Sequence, residues 1–457
     1  MDLSETPADL PTQLSRFRVP VDSRWVNYWR TRASAYILGQ ILPGARKSMQ
    51  PMASRLDDVS YDQIQRFITD SPWDWEATQE DLIRVVSEDV GTAEGLLSLD
   101  DTAFVKAGRH SVGVARQYCG QLGKIASCQV AVGLVYIRPQ PPRSADAGVF
   151  PLQMRLYLPA DWATDRVRRR NARVPARCDF QQKWRLGLGM VAKVRALGLP
   201  HEATVTDAGY GDCAEFREGL RTLGERYVVG VTSSALTVVR AGLRLREPRP
   251  RIGSAGRPPT RRRLPSGMRA YSAAILGVSL SPQEWQRVTW AQGTKQPLTG
   301  TFARARVRVV KRQFPTDEVA WLLFERRENE TKAYLCHGYD ESTLEDMVRV
   351  ARGRWPVEQF FREAKEELGA DYFEGRGWPG WHHHVTLTLL AAWYLSLRRW
   401  LGQDQETTEP LPTLPQIRRD VVREVALRIL EQTPEEGDQG IDPRIRRRVL
   451  ALVNNAG

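Results

Sequence analysis

EATVTDAGYGDCAEFREGLRTLGERYVVGV, residues 202–231, reads as strand, helix, strand. EATVTD is a short strand ending in Asp207, and AGYG after it is a turn of small residues. Asp212 and Glu215 have the Asp-x-x-Glu spacing of a capping box, for a helix that stops at Gly224 and leads into the strand RYVVGV. This is the unit from which α/β sheets are built, and it carries an acid at the carboxyl end of its first strand.

Upstream of this unit, LLSLD (96–100) is a strand ending in the pair Asp100–Asp101, and SVGVARQYCG, KIASCQVAVGLVYI and LQMRLYLP read as further strands up to Pro159. Helical stretches near 161–170 and 180–197 precede Asp207. Residues 91–231 are therefore expected to form the first part of an α/β core. Residues 1–90 read as mainly helical, with Trp25, Tyr28, Trp29, Tyr36 and Ile37 at mixed three and four spacing, and are expected to be an N-terminal domain that binds DNA or caps the core. Downstream, residues 232–336 break the α/β rhythm. A basic, Pro-rich segment, RLREPRPRIGSAGRPPTRRRLP (244–265), leads into the alternating strands ARARVRVV, VAWLLFERR and KAYLCHGY, the pattern of a mostly-β insertion. Residues 337–400 return to helices: Ser342 and Glu345 have capping-box spacing, and Pro356 opens VEQFFREAKEEL, which has Val357, Phe361, Ala364 and Leu368 on one face. Residues 401–457 hold a polar linker and a basic amphipathic helix around 415–431.

The bulk properties narrow the partner. Sixty-six Lys and Arg against 54 Asp and Glu leave a net charge of +12, which favours a polyanionic partner over an acidic small molecule. The 5 cysteines are scattered without a CxxC pair, so neither a disulfide framework nor a zinc finger is indicated. The start, MDLSETPADL, lacks the basic and apolar pattern of an export signal, and a cytoplasmic, nucleoid-associated protein is expected.

Phosphodiester cleavage needs two hard cations close together, one to activate the attacking oxygen and one to stabilise the leaving oxygen. Magnesium takes oxygen ligands, so a few carboxylates from different elements suffice. Asp100 or Asp101 at the end of one strand, Asp207 at the end of another and Glu358 in the first turn of a helix are the candidates. Strand alternation puts Leu97, Leu99 and Asp101 on one face and Ser98 with Asp100 on the other; Asp100 is preferred and Asp101 is the alternative. Arg354 precedes Glu358 by four residues and Lys365 follows it by seven. At 100° per residue Lys365 falls within roughly 20° of Glu358 on the helix, which makes the two cations candidates for gripping DNA phosphates beside the metal ligand. Arg261, Arg262 and Arg263 are a second candidate for backbone contact.

At these residues the chain resembles the DDE transposases of bacterial insertion sequences, in particular the cut-and-paste group whose RNase-H-like core carries a β insertion. The third-acid signature of that family is Tyr, two residues, Arg, three residues, Glu, six residues, Lys. ARGRWPVEQFFREAK (351–365) supplies Arg354, Glu358 and Lys365 at those spacings, with Ala351 in place of the tyrosine. SLDDTAFVKAGRHSVGVARQYCGQLGK around Asp100, TVTDAGYGD around Asp207, WAQGTKQPLTGTFARARV in the insertion and SPWDW in the N-terminal region look like other segments of the family. The resemblance implies an α/β fold with an RNase-H-like mixed-sheet core, an inserted mostly-β domain and an N-terminal helical domain. It implies that Asp100, Asp207 and Glu358 bind two Mg2+ ions, for which Mn2+ can substitute. It also implies cleavage of double-stranded DNA at the terminal inverted repeats, joining of the 3′ hydroxyl to target DNA, and a homodimer on DNA. In relatives with such an insertion an insertion-domain tryptophan stacks on a displaced base. Trp290, or failing it Trp285, has the corresponding place here.

His382, His383 and His384 invite a metal reading, but no cysteine pair completes a zinc site, and a contact with DNA or with a helix N-terminus is preferred. Two rival functions remain: a transposase-derived DNA-binding protein without activity, and a metal-dependent endonuclease that cuts without joining.

Overall fold

The computed structural model describes residues 7, 9–18, 25–44, 46–56, 59–139, 147–248, 260–293, 296–402, 411–431 and 449–450. The first strands are β1 (Leu96–Val105), β2 (Ala115–Cys119), β3 (Lys124–Pro139), β4 (Ala147–Leu156), β5 (Ala203–Thr206) and β6 (Tyr227–Val231). β1 pairs parallel with β5, and β5 parallel with β6, while β3 lies antiparallel on the other side of β1 and β4 antiparallel on β3. The order β4-β3-β1-β5-β6 is a mixed sheet in an α/β fold, consistent with the RNase-H-like core expected from the sequence.

Six more strands follow: β7 (Thr237–Arg240), β8 (Tyr271–Ser272), β9 (Gln286–Gln292), β10 (Pro297–Lys311), β11 (Phe314–Arg326) and β12 (Thr331–His337). They do not make a sheet of their own. β12 pairs antiparallel with β6, and β11, β10, β7 and β8 continue outward from it, so one 12-stranded sheet runs from β2 to β8, with β4 and β9 on side branches. The junction is tied by buried charge. Glu318 of β11 accepts from Arg217 Nε at 2.8 Å and from Tyr227 Oη at 2.7 Å.

The N-terminal helices Val26–Ile41, Tyr61–Thr69 and Trp75–Val90 pack on the helix Trp378–Leu401, and their Trp29, Tyr36 and Ile83 belong to the same continuous core as Leu97, Val205 and Leu389. The histidine run serves this packing. His382, His383 and His384 are buried at 0%, 2% and 1% exposure, which overturns the expected DNA contact. His383 sits between the carbonyls of Ile68 (2.7 Å) and Trp73 (3.0 Å), and His384 bonds Tyr36 Oη at 2.7 Å. Burial pushes both down to about 4, so they stay neutral core residues, and the single N–H of His383 donates to one of its two carbonyls.

Two expected caps are displaced. Thr343 and Asp346 form the box that opens Leu344–Arg352, one residue beyond Ser342 and Glu345. Asp212 accepts from Thr232 N at 2.8 Å, which ties the helical side to the end of β6, and the helix Ala214–Thr222 starts from Cys213 without a side-chain cap. No helix of the described residues is long and apolar enough to cross a membrane.

Candidate active site

Leu99 of β1 lies beside Thr206 of β5 in parallel register, so Asp100 and Asp207 follow at the same rim of the sheet. Asp207 then caps the short helix Ala208–Gly211 by accepting from Tyr210 N. On one face of the sheet the helix Pro356–Glu366 packs over β1 and β4. Gly133, paired with Asp100 across the ladder, makes that approach possible: a Cβ there would stand 2.6 Å from Phe361 Cζ. Proline at the first position of the helix sets its start, and Glu358 falls in its first turn.

These elements wall a cavity of about 870 Å3, lined among others by Asp100, Asp101, Asp207, Glu358, Lys183 and Lys365. Arg354 bridges two of the acids. Its Nη1 donates to Asp100 Oδ2 at 2.7 Å and its Nη2 to Glu358 Oε1. Burial, and next the charge of Asp207, push the Asp100 carboxyl up to about 7 against the pull of Arg354. Burial also raises Asp207, opposed first by Arg354 and then by the N–H of Tyr210. Burial works against the Arg354 charge, but Asp100, Glu358 and Asp207 outweigh it and hold the guanidinium above its ordinary value. A concentration of carboxylates that resist ionisation is an arrangement that calls for cations.

Asp101 turns the other way. Its Oδ2 takes Lys183 Nζ at 2.5 Å and its Oδ1 takes the hydroxyl of Tyr210, so both oxygens are engaged. Lys183 begins the helix Lys183–Ala196 on the opposite face, where Gly187 sits against Leu99. Tyr210 thus touches both acid-bearing strand ends, by its hydroxyl at Asp101 and its N–H at Asp207.

An all-carboxylate set suits magnesium, and Asp100, Asp207 and Glu358 offer the right donors. Among the described residues, however, no group of three or more His, Cys, Asp or Glu side chains is gathered closely enough to hold a metal ion. Here Arg354 binds carboxylate oxygens of Asp100 and Glu358 that a cation would use.

The remaining sequence candidates separate. Lys365 lines the acid cavity, its ammonium 5.4 Å from the Phe104 ring centre, with burial lowering its pKa. Trp290 lies outside that cavity, packed edge-on to Phe302 at 5.8 Å and 4.6 Å from Arg352. Trp285 lies against Arg326 at 4.1 Å. Arg261 stacks on Phe314, Arg262 pairs with Glu247 at 3.0 Å, and Arg263 pairs through its backbone with Arg246; none of the three lines the acid cavity. Residues 249–259 of the basic segment lie outside the described residues. Sequence reasoning missed Tyr210, Lys183 and Gly133. Only Gly133 left a signal, as a glycine interrupting a long apolar strand.

A family model described as DDE superfamily endonuclease matches residues 26–297. That span holds Asp100, Asp101, Lys183, Asp207 and Tyr210 and ends before Glu358. The chain is also 25% identical over 191 residues to a protein of Microchaete diplosiphon described as a probable transposase for insertion sequence element IS701. The match covers 41% of this chain and 45% of that protein, so the chain spans less than half of that relative's length.

Proposed function

The chain belongs to the DDE superfamily endonucleases, and on that footing we propose that it is an insertion-sequence transposase that cuts DNA at the ends of its element and joins the freed 3′ hydroxyl to target DNA. The observation that carries the reading is the cavity lined by Asp100, Asp207 and Glu358, the first and last of them bridged by Arg354.

Asp100, Asp207 and Glu358 would hold two magnesium ions, with manganese as a substitute; the ions would supply activation of the attacking oxygen and stabilisation of the leaving one. Asp100 is taken as the first acid, with Asp101 as the alternative, because Asp100 shares Arg354 with Glu358 whereas Asp101 is turned to Lys183 and Tyr210. Asp207 is aimed by the N–H of Tyr210. Arg354 and Lys365 bind backbone phosphates on either side of Glu358, and Arg354 exchanges its carboxylate partners for a phosphate when DNA arrives. Cleavage places the oxygen of water on phosphorus and releases the 3′ hydroxyl, which then attacks a target phosphodiester and displaces its 3′ oxygen. Residues 1–90 act as a helical unit on the element end, 91–231 and 337–400 make the core, 232–336 is its insertion, and 401–457 is a basic tail. Trp290 takes a displaced base on the insertion side. Two copies hold the two ends.

The test incubates the protein with magnesium, labelled DNA carrying the element's terminal repeats and a target plasmid. Joined products that vanish in Asp100→Ala, Asp207→Ala and Glu358→Ala are expected. Cuts without joining would reassign the chain as an endonuclease, and tight binding with neither product would make it a DNA-binding relic. Loss of joining in Asp101→Asn alone, with Asp100→Asn active, would move the first acid by one residue.

A further inference from the structure

Beside the acid cavity, and sharing Asp371 and Tyr372 with it, lies a second groove of about 350 Å3 lined by Lys106, His110 and Arg376. Its floor is built. Lys106 Nζ donates to the carbonyls of Asp371 (3.2 Å) and Phe373 (2.7 Å), and Val112 N donates to Arg376 O at 3.1 Å. The groove opens onto an arginine-rich face. Gly377, next to Arg376, stands against the guanidinium of Arg173, and Trp378 N donates to Ala172 O at 2.7 Å. Arg173 in turn follows the helix Arg166–Asn171, on which Arg166 and Arg170 are one turn apart and exposed.

This face carries more positive charge than its own carboxylates neutralise. Arg173 is paired with Asp70 at 3.1 Å, Arg168 with Asp161 at 3.5 Å and Arg177 with Glu76 at 3.3 Å, and Asp371 and Glu374 line the groove. Among the described residues Arg166, Arg170 and Arg376 make no ion pair, although all three are exposed. The segment 166–177 bears six arginines, RVRRRNARVPAR, and one of them, Arg169, is spent internally on the carbonyls of Ala163, Pro175, Ala176 and Cys178. Arg169 thereby fixes the loop that presents its neighbours. Unpaired guanidinium groups on a fixed backbone beside this groove match a chain of phosphates.

We propose that this groove and the Arg166–Arg173 face form a track for the sugar-phosphate backbone of duplex DNA, leading away from the acid cavity. The inference rests on the reading of the chain as a DNA enzyme and adds the direction in which the DNA leaves. It places the flank of the cut site along Arg376, Arg170 and Arg166 and not along Arg261–Arg263.

The test measures binding of a fluorescein-labelled duplex by anisotropy, in EDTA, over a series of salt concentrations. The full-length Arg166→Gln/Arg170→Gln/Arg376→Gln protein is compared with wild type and with a charge-matched Arg419→Gln/Arg423→Gln/Arg428→Gln protein. Each lost phosphate contact lowers the slope of log K against log salt by about 0.9, so a slope smaller by about 2–3 is expected in the first variant and little change in the second. Unchanged thermal melting of both variants shows that they are folded, and Arg376→Glu alone, expected to lower the slope by about 1, repeats the test with one exposed side chain. An unchanged slope in the groove variant, or equal flattening in both triple variants, overturns the track while leaving the transposase reading standing if wild type still makes joined products. Failure of wild type itself to bind the duplex would overturn both.

Discussion

Asp100→Asn should make the metal-free protein more stable, and increasingly so as the pH rises. The Asp100 carboxyl is raised from 3.8 to about 7 by burial and by the neighbouring Asp207. Between those two values the folded chain keeps a proton that the unfolded chain has already released. The folded state binds more protons, so wild type loses stability as pH climbs from about 4, and the loss is complete above about 7. At about 1.4 kcal/mol per pH unit the full displacement amounts to about 4 kcal/mol, of which about 2–3 kcal/mol accrues between pH 5 and 8. Asparagine keeps the shape and removes the titration, so the variant should gain about 4 kcal/mol on wild type at pH 8 and about 1–2 kcal/mol at pH 5. Urea unfolding of both proteins in EDTA at the two pH values reads this directly. Added magnesium should stabilise wild type, whose ionised carboxylates a cation favours, and should leave the variant nearly unmoved. Parallel pH dependence of the two proteins, or a variant less stable than wild type at pH 8, would refute the account of Asp100 as a buried, repelled carboxyl.

Three further outcomes follow from particular contacts. Gly133→Ala drives a methyl to within 2.6 Å of Phe361, so it should cost about 1–3 kcal/mol by thermal or urea unfolding and lower cleavage by displacing Glu358; full activity would show that the helix does not need that close approach. Tyr210→Phe removes one hydroxyl from Asp101, for a loss of about 1–2 kcal/mol and a fall in kcat with DNA affinity kept; weaker DNA binding with kcat unchanged would contradict a positioning role. Glu318→Ala leaves Arg217, 2% exposed, without its carboxylate at the junction of the added strands, and should cost about 3–5 kcal/mol in urea unfolding; a cost below about 1 kcal/mol would mean that the pair does not brace the sheet.

The strand ends were legible because their signals are local. A short apolar run closing on an acid needs no tertiary knowledge, and the register of β1 with β5 puts Asp100 and Asp207 together as that pattern implies. The continuity of the sheet was not legible. The residues of β10, β11 and β12 alternate as any half-covered strands do, and alternation is silent about which neighbour a strand chooses. That choice is settled by edges: β6 would end the core sheet with unpaired N–H and C=O groups, and β12 satisfies them through Ala333–His337. The histidine run failed for the converse reason. Three polar residues in a row look solvent-facing, yet at positions 382–384 all are enclosed, and each finds a carbonyl: His382 that of Trp378 one turn back in its own helix, His383 that of Ile68 and His384 that of Ala370.

Within the site, sequence could select the residues but not their present partners. Spacing put Arg354 near Glu358 and treated it as a hand for DNA; the structure adds that the same hand holds Asp100, 254 residues away, at 2.7 Å. That pairing has an electrostatic logic. Asp100 and Asp207 lie at one rim of the sheet, both raised by burial and Asp100 further by the charge of Asp207, so without a cation nearby the site would be held together against its own charge. A guanidinium shared by Asp100 and Glu358 reduces that repulsion and keeps the helix Pro356–Glu366 docked over Gly133. It is also removable, since phosphates compete for arginine on better geometric terms than two carboxylates from separate elements can offer. The residue that steadies the acids and the residue that would meet the DNA are then the same one, and its departure toward DNA would expose the carboxylates when substrate is in place.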